Sequence, residues 1–443
     1  MRLLMPRRFA TVILRFAFAV FSLTAAMAAN RESVLVAFTD SGGPTPGAHP
    51  FLPNLIRDNA GNLYGASSGG GNPDCFQLYG HECGVIFKLT PAGGTWQESV
   101  LYNFQGGADG SAVGTLVMDA KGNLYAVTSD GGKRGFGTIV KFSPPKLGTL
   151  WNKKVLHTFS AGANGAVPDG NLVADAAGNF YGSTAEGGDK NCSAGVPPPG
   201  CGVIFKLSRT PQGGWKESVL YTFTALSDGF GTVDMILDAQ GNLYGVDVVG
   251  GPDPNAGGVV FKLAPTPTGP WTRTILYTFI YGPNGVFPYA GVVFDGAGNL
   301  YGTTTMGGDM SCGRGGCGIV YKLTPTPSGP WQETILHVFE SGSDGANPYD
   351  RLVFDPQGNL YGTTLLGGTG CDALGCGIVF ELAKGSWTET LLHTFVGGND
   401  ARNPYSGLII DPGGNLYGTS FMGGSAACGN LGCGTVYEIS AAP

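Results

Sequence analysis

Short apolar runs separated by turn residues follow one another along the chain, and they recur in groups of four. In one group the runs are Arg351-Leu352-Val353-Phe354-Asp355, then 359–364, then 377–382, then a longer one from Trp387 to Phe395. All four are rich in β-branched and aromatic residues, with Gly, Asn or Asp between them, so each is expected to be a β-strand. A Gly-Gly pair opens the loop between the second run and the third.

The group is one unit of an internal repeat. The string Gly-Asn-Leu-Tyr, with one Leu to Phe exchange, begins at Gly61, Gly122, Gly178, Gly241, Gly298, Gly358 and Gly414, about 59 residues apart. Three residues ahead of each stands an acid: Asp58, Asp119, Asp175, Asp238, Asp295, Asp355 and Asp411. An Asp side chain accepts a hydrogen bond from a backbone N–H two residues on, and the following Gly takes a positive φ that other residues resist. Strands one and two are therefore joined by a tight turn. Seven equivalent acids on seven turns are expected to be architectural.

Seven four-stranded antiparallel sheets must stack on one another to cover their apolar faces, either around a closed ring or along an open solenoid. The two ends of the chain choose the ring. Residues 32–38, Glu-Ser-Val-Leu-Val-Ala-Phe, match a fourth strand such as 217–223, while the chain ends on a third strand at 434–439. The expected fold is all-β, a seven-bladed propeller in residues 29–443, closed by the N-terminal strand completing the last blade.

Gly-Asn-Leu-Tyr-Gly-Thr-Thr, a Gly-rich loop, Gly-Ile-Val-Phe-Lys-Leu and Val-Leu-Tyr-Thr-Phe together resemble the Gloeo-Verruco (GloVer) tandem repeat of the choice-of-anchor tandem repeat proteins, a family of exported bacterial proteins. The resemblance covers nearly all of the chain after residue 29, in all seven units. It implies a surface or extracellular protein, often with a terminal anchoring segment. Here the last residues, Ala441-Ala442-Pro443, form no apolar tail, so a secreted or periplasmic protein is expected.

Composition sharpens this picture. Gly at 77 and Pro at 29, beside 42% hydrophobic residues, fit many tight turns between buried strands. Residues 1–28 resemble a secretory signal peptide, with Arg2, Arg7, Arg8 and Arg15, an apolar run from Phe16 to Leu23, and Ala26-Met27-Ala28 before the expected cut. That run is about half of what a spanning helix needs, so no membrane span is expected after cleavage. Removing those four arginines takes the formal charge from −7 to −11. An acidic chain without a Lys/Arg cluster excludes a nucleic-acid partner.

Ten cysteines fall in pairs within the loop between strands two and three: Cys75 with Cys83, Cys192 with Cys201, Cys312 with Cys317, Cys371 with Cys376, and Cys428 with Cys433. In an exported chain such local pairs read as disulfides. Zinc would need more ligands than two thiols per loop, and only His81 stands near one.

Loops from strand four to strand one and from strand two to strand three emerge on the same face. The cysteine loops vary from unit to unit, including Val196-Pro197-Pro198-Pro199, which makes that face the candidate binding face. Residues entering strand one would approach the central channel there. The exceptions to a small or apolar pattern are Asn54, Asn171, Asp234, Asp350 and Arg351, with Tyr289, Tyr349 and Tyr405 alongside. This mixture would suit a glycan or a peptide, and equally the satisfying of backbone groups at the channel mouth. Calcium would suit the acids near the channel, and no other cofactor is expected.

His157, His337 and His393 share a strand-four position with Tyr102, Tyr221 and Tyr277, and read as packing alternates. Six Trp residues open six of the fourth strands and read the same way. No nucleophile elbow, zinc-protease helix or phosphate loop occurs. The expected function is a non-catalytic binding or surface-interaction protein, a monomer, with a glycan or protein ligand. The alternative is a carbohydrate-active enzyme, a polysaccharide lyase or glycoside hydrolase at the channel mouth, for which Asp234 and Asp350 would be the carboxylate pair.

Overall fold

The computed structural model describes residues 31–40, 46–50, 54–75, 83–111, 114–192, 199–267, 269–313 and 315–441. The expected leader, His81 and residues 196–198 lie outside the described residues.

The Asp-x-x-Gly-Asn turn closes alike in every unit. In the first, the Asp58 N–H donates to the Asn62 carbonyl and the Gly61 N–H to the Asp58 carbonyl, both at 3.0 Å. Asp58 Oδ1 accepts from the backbone N–H groups of Ala60 and Asn62, while Oδ2 accepts from the Asn62 amide and the Tyr64 hydroxyl. Across the seven turns the Asn side chain donates to the Asp at 2.6–3.1 Å. The turn glycine sits at φ between 73° and 92°, where any Cβ would be strained.

Each turn starts a four-stranded antiparallel sheet, and there are seven such sheets arranged as a seven-bladed propeller. Blade 6 is representative, with strands Val353–Phe354, Leu360–Thr364, Ile378–Leu382 and Glu389–Thr394. Blade 7 takes Ile409–Ile410, Leu416–Ser420 and Thr435–Ser440 from the end of the chain and Arg31–Ala37 from its beginning. Arg31 pairs with Ser440 and Ala37 with Thr435, which closes the ring as expected.

Strand one is shorter than its apolar run. In six blades only two residues pair with strand two, and in blade 4 the strand extends over Phe230–Leu237. Asn side chains of neighbouring blades serve the backbone here: the Gly407 N–H, ahead of its strand, donates to Asn54 Oδ1 at 2.7 Å, and the Met235 N–H, within its strand, to Asn171 Oδ1 at 3.2 Å.

Strand four carries a β-bulge in every blade. Ile86 pairs with Tyr102 and Phe87 with Val100, so Leu101 is the extra residue, and Leu156, Leu220, Leu276, Leu336, Leu392 and Leu35 repeat the irregularity. The two adjacent apolar letters that break strict alternation thus reflect a parity switch. Before the bulge, side chains such as Trp96 and Glu98 face the preceding blade; Tyr102, after it, faces the next.

That switch builds the seams. Trp151 meets Tyr64 of blade 1 at 6.3 Å between centroids, Trp271 meets Tyr181 at 6.1 Å, Trp331 meets Tyr244 at 6.4 Å and Trp387 meets Tyr301 at 5.8 Å. Trp96 meets Tyr417 of blade 7 at 6.0 Å, so the seam continues across the closure. Such pairs add about 0.5–1.5 kcal/mol each beyond burial.

Candidate functional site

The central channel is apolar along most of its length. A space of about 620 Å³ is lined by Ile56, Val117, Val173, Ile236, Val293, Val353 and Ile409, one residue from each blade. At the cysteine-loop end it gives way to a smaller cavity of about 200 Å³ with a polar wall.

The disulfides help to position that end. All five expected pairs are bonded, Cys75–Cys83, Cys192–Cys201, Cys312–Cys317, Cys371–Cys376 and Cys428–Cys433. Five disulfides point to an oxidising compartment outside the cytoplasm. In three loops the second Cys offers its carbonyl to the next blade: Cys317 to the Asn347 N–H at 2.8 Å, Cys376 to Asn403 at 2.9 Å and Cys433 to His49 at 2.7 Å. These acceptors hold Asn347, Asn403 and His49 in the left-handed region, at φ 55°, 53° and 51°. Asn tolerates that region better than most residues, and here the Asn347 and Asn403 amides are anchored on the preceding blade, donating to the Thr305 and Leu365 carbonyls. A proline follows each kink, and at Tyr349 and Tyr405 a tyrosine follows the proline. Phe287 repeats the kink without a disulfide and delivers Tyr289.

The result is an aromatic arc over blades 5 to 7. Tyr289 and Tyr349 stack with centroids 4.6 Å apart and planes 17° apart, and Tyr405 meets Tyr349 edge-on at 5.1 Å. Phe421 and His49 continue the arc at 5.6 and 4.8 Å. Tyr289 is 37% exposed.

Six of the eight sequence candidates line the polar cavity: Asn54, Asn171, Asp234, Tyr289, Tyr349 and Asp350. Arg351 lines the apolar channel instead, with its Nε 2.9 Å from Asp234 Oδ2. Tyr405 is not part of the cavity lining but meets Tyr349, which is. Asn54 and Asn171 also satisfy backbone groups of neighbouring blades, so the architectural reading holds for their carbonyl oxygens.

Asp169 was not among the sequence candidates, yet it lines the same wall. It lies two residues before Asn171, in the register of Tyr289, Tyr349 and Tyr405.

The acids of this wall are perturbed. Loss of solvation pushes Asp350 up to about 7, helped by the charge of Asp234 and opposed by the N–H groups of Arg351 and Gly407. Desolvation also raises Asp234, while Arg351 pulls it down. Loss of solvation raises Asp169 as well, and the charge of Glu186 adds to it. An acid poised near neutrality beside an ionised one can donate as well as accept hydrogen bonds. Among the described residues, groups of three potential metal ligands within 4.8 Å of one another occur elsewhere, not at this mouth.

The family model described as the Gloeobacter/Verrucomicrobia repeat matches residues 18–196 and 309–442. No curated protein matches the chain. Among solved structures, the oligogalacturonate lyase of Vibrio parahaemolyticus is 13% identical with a TM-score of 0.52, covering 93% of this chain and 98% of that one. PorZ, a surface component of the type-IX secretion system of Porphyromonas gingivalis, is 15% identical with a TM-score of 0.50. The match covers 91% of this chain and 48% of PorZ, so the chain spans about half of PorZ's length. At these identities the likeness is one of fold. Among the described residues no helix is long and apolar enough to cross a membrane.

Proposed function

Starting from a chain that belongs to the Gloeobacter/Verrucomicrobia repeat family, we propose that this propeller is an exported binding protein that holds a glycan at the channel mouth. The observation that carries this reading is the Tyr289–Tyr349–Tyr405 arc beside a cavity lined by Asp169, Asp234, Asp350, Asn54 and Asn171. Sugar rings present apolar C–H faces and polar rims, and an aromatic platform flanked by carboxylates and amides complements both. Export rests on the expected leader, with cleavage near Ala29, and on the five disulfides.

A second reading, a glycoside hydrolase or polysaccharide lyase, is favoured by one observation: Asp350 sits near neutrality beside the arginine-paired Asp234. A polysaccharide array read for retention and for product release tests both. Retention that Tyr349→Ala weakens roughly tenfold, without product, supports binding alone, the factor corresponding to about 1.4 kcal/mol. Product formation abolished by Asp350→Asn supports the enzyme. Retention unchanged in Tyr349→Ala would overturn the mouth as the site.

A further inference from the structure

Six of the seven seams between blades repeat one three-residue arrangement, and the copies differ in charge; at the seventh, between blades 7 and 1, Val36 stands in the Tyr or His position. Its first member is the strand-four Tyr or His that faces the next blade. The second lies seven residues on, in the following loop. The third comes from the next blade, two residues past its Trp, or from Glu32 in blade 7, whose fourth strand opens without a Trp.

Between blades 1 and 2 the set is Tyr102, Asp109 and Lys153, with the lysine 2.9 Å from the acid. Between blades 3 and 4 it is Tyr221, Asp228 and Arg273, the guanidinium donating to the Asp228 carbonyl at 2.6 Å. Tyr277, Asn284 and Glu333 meet between blades 4 and 5, tyrosine and amide each donating to the glutamate at 2.8 Å. His157, Asn164 and Glu217 stand at the same positions between blades 2 and 3. Each of these seams holds either one acid or an acid facing a fixed cation.

Two seams break this rule. His337, Asp344 and Glu389 meet between blades 5 and 6, and His393, Asp400 and Glu32 between blades 6 and 7. Each brings two carboxylates onto one imidazole, and the ligand atoms of each group lie within 4.8 Å of one another. His337 Nε2 is 3.1 Å from Asp344 and 4.0 Å from Glu389, and His393 Nε2 is 3.4 Å from Asp400. Among the described residues neither buried Nε2 makes a hydrogen bond, and Glu389 Oε1 and Glu32 Oε1 are also unpartnered. A proton on the imidazole serves at most one well-aligned acceptor. A metal ion serves the nitrogen and both carboxylates together.

We propose that these two seams are divalent transition-metal sites, each binding one zinc ion through one imidazole and two carboxylates. Three protein ligands with water in the remaining position is an accepted zinc arrangement, and an imidazole ligand disfavours calcium and magnesium. The seam at His157 offers one carboxylate and an amide, and binds none. Asp344 and Asp400 lie five residues before Tyr349 and Tyr405, so the ions would clamp the loops that carry the arc. The sites do not depend on what the arc binds.

The test is zinc stoichiometry of the full secreted chain, stripped with chelator, dialysed against zinc without thiol reductant, and analysed by elemental mass spectrometry. His337→Tyr and His393→Tyr substitute the residue that other blades use at this position, which favours folding. Two ions per wild-type chain, one fewer in each single variant and two fewer in the double are expected. No zinc retained, or equal zinc in wild type and double variant, overturns the proposal. X-ray absorption on the zinc-loaded wild type gives an answer even if the variants fail to fold: nitrogen and oxygen neighbours alone support the sites, and sulfur ligation refutes them.

Discussion

The backbone N–H of Asn347 donates a 2.8 Å hydrogen bond to the carbonyl of Cys317, joining the disulfide loop of blade 5 to the segment that delivers Tyr349. The cysteine loops are therefore part of the mouth's scaffold.

Replacing Cys312 and Cys317 together by serine should lower stability by about 2 kcal/mol, the chain-entropy value for so short a loop. Urea denaturation in oxidising buffer measures it. A midpoint identical to wild type would mean that the bond constrains nothing in the unfolded chain.

Blade 4 holds a buried ion pair between Asp247, 0% exposed at its side chain, and Arg273, 5% exposed. Thr232 donates to the same carboxylate at 2.5 Å, and the guanidinium covers the Phe261 ring at 4.6 Å. Asp247→Ala alone should cost about 3–5 kcal/mol by removing the buried carboxylate that faces the guanidinium. Adding Arg273→Met should recover most of that loss, and a double-mutant cycle by urea melts decides it.

Glu98 is half-buried at the seam between blades 7 and 1, and among the described residues its buried carboxylate oxygens have no hydrogen-bond partner. Desolvation pushes it up to about 8. Because the folded value lies above the unfolded one, near 4.3, its stabilising contribution is complete below about pH 4 and is lost as pH rises toward 8. Glu98→Gln should therefore stabilise the protein by on the order of 1 kcal/mol at pH 8, after allowance for the group's partial contact with solvent. Thermal melts at pH 4 should show no such gain; a gain equal at both pH values would assign the effect to something other than ionisation.

The propeller, its closure and the disulfides were legible because each leaves a local mark that recurs: Asp58 to Gly61, the strand-like 32–38 run, and Cys beside the Gly that opens strand three. The mouth was half legible. Tyr289, Tyr349 and Tyr405 could be picked out singly, but their stacking depends on kinks at Phe287, Asn347 and Asn403 that no single letter announces. Asp169 stands at the position of Tyr289, Tyr349 and Tyr405, but an acid beside a Gly reads as an ordinary turn residue. The seam histidines looked like packing residues, and their rings do pack edge-on against Phe339 and Phe395. Their acidic partners come partly from the next blade, Glu389 for His337, and in one case from the opposite end of the chain, Glu32 for His393.

Phe38 follows the closing strand, is fully buried and packs 5.2 Å from Phe87 of blade 1. Phe38→Ala should cost about 3–5 kcal/mol. Limited proteolysis should release the N-terminal peptide first, and cleavage beginning in blade 4 would contradict the closure as the weak point.

Blades 1 to 6 are each built from one continuous stretch, whereas the last sheet joins Arg31–Ala37 to Thr435–Ser440, some 400 positions away. Contacts so distant in sequence form slowly, because a long loop must be ordered before they yield any stabilisation. The first strand made thus waits for the last, and until they meet blade 7 keeps an open edge on which a second chain can pair, which makes this step the point where assembly competes with aggregation.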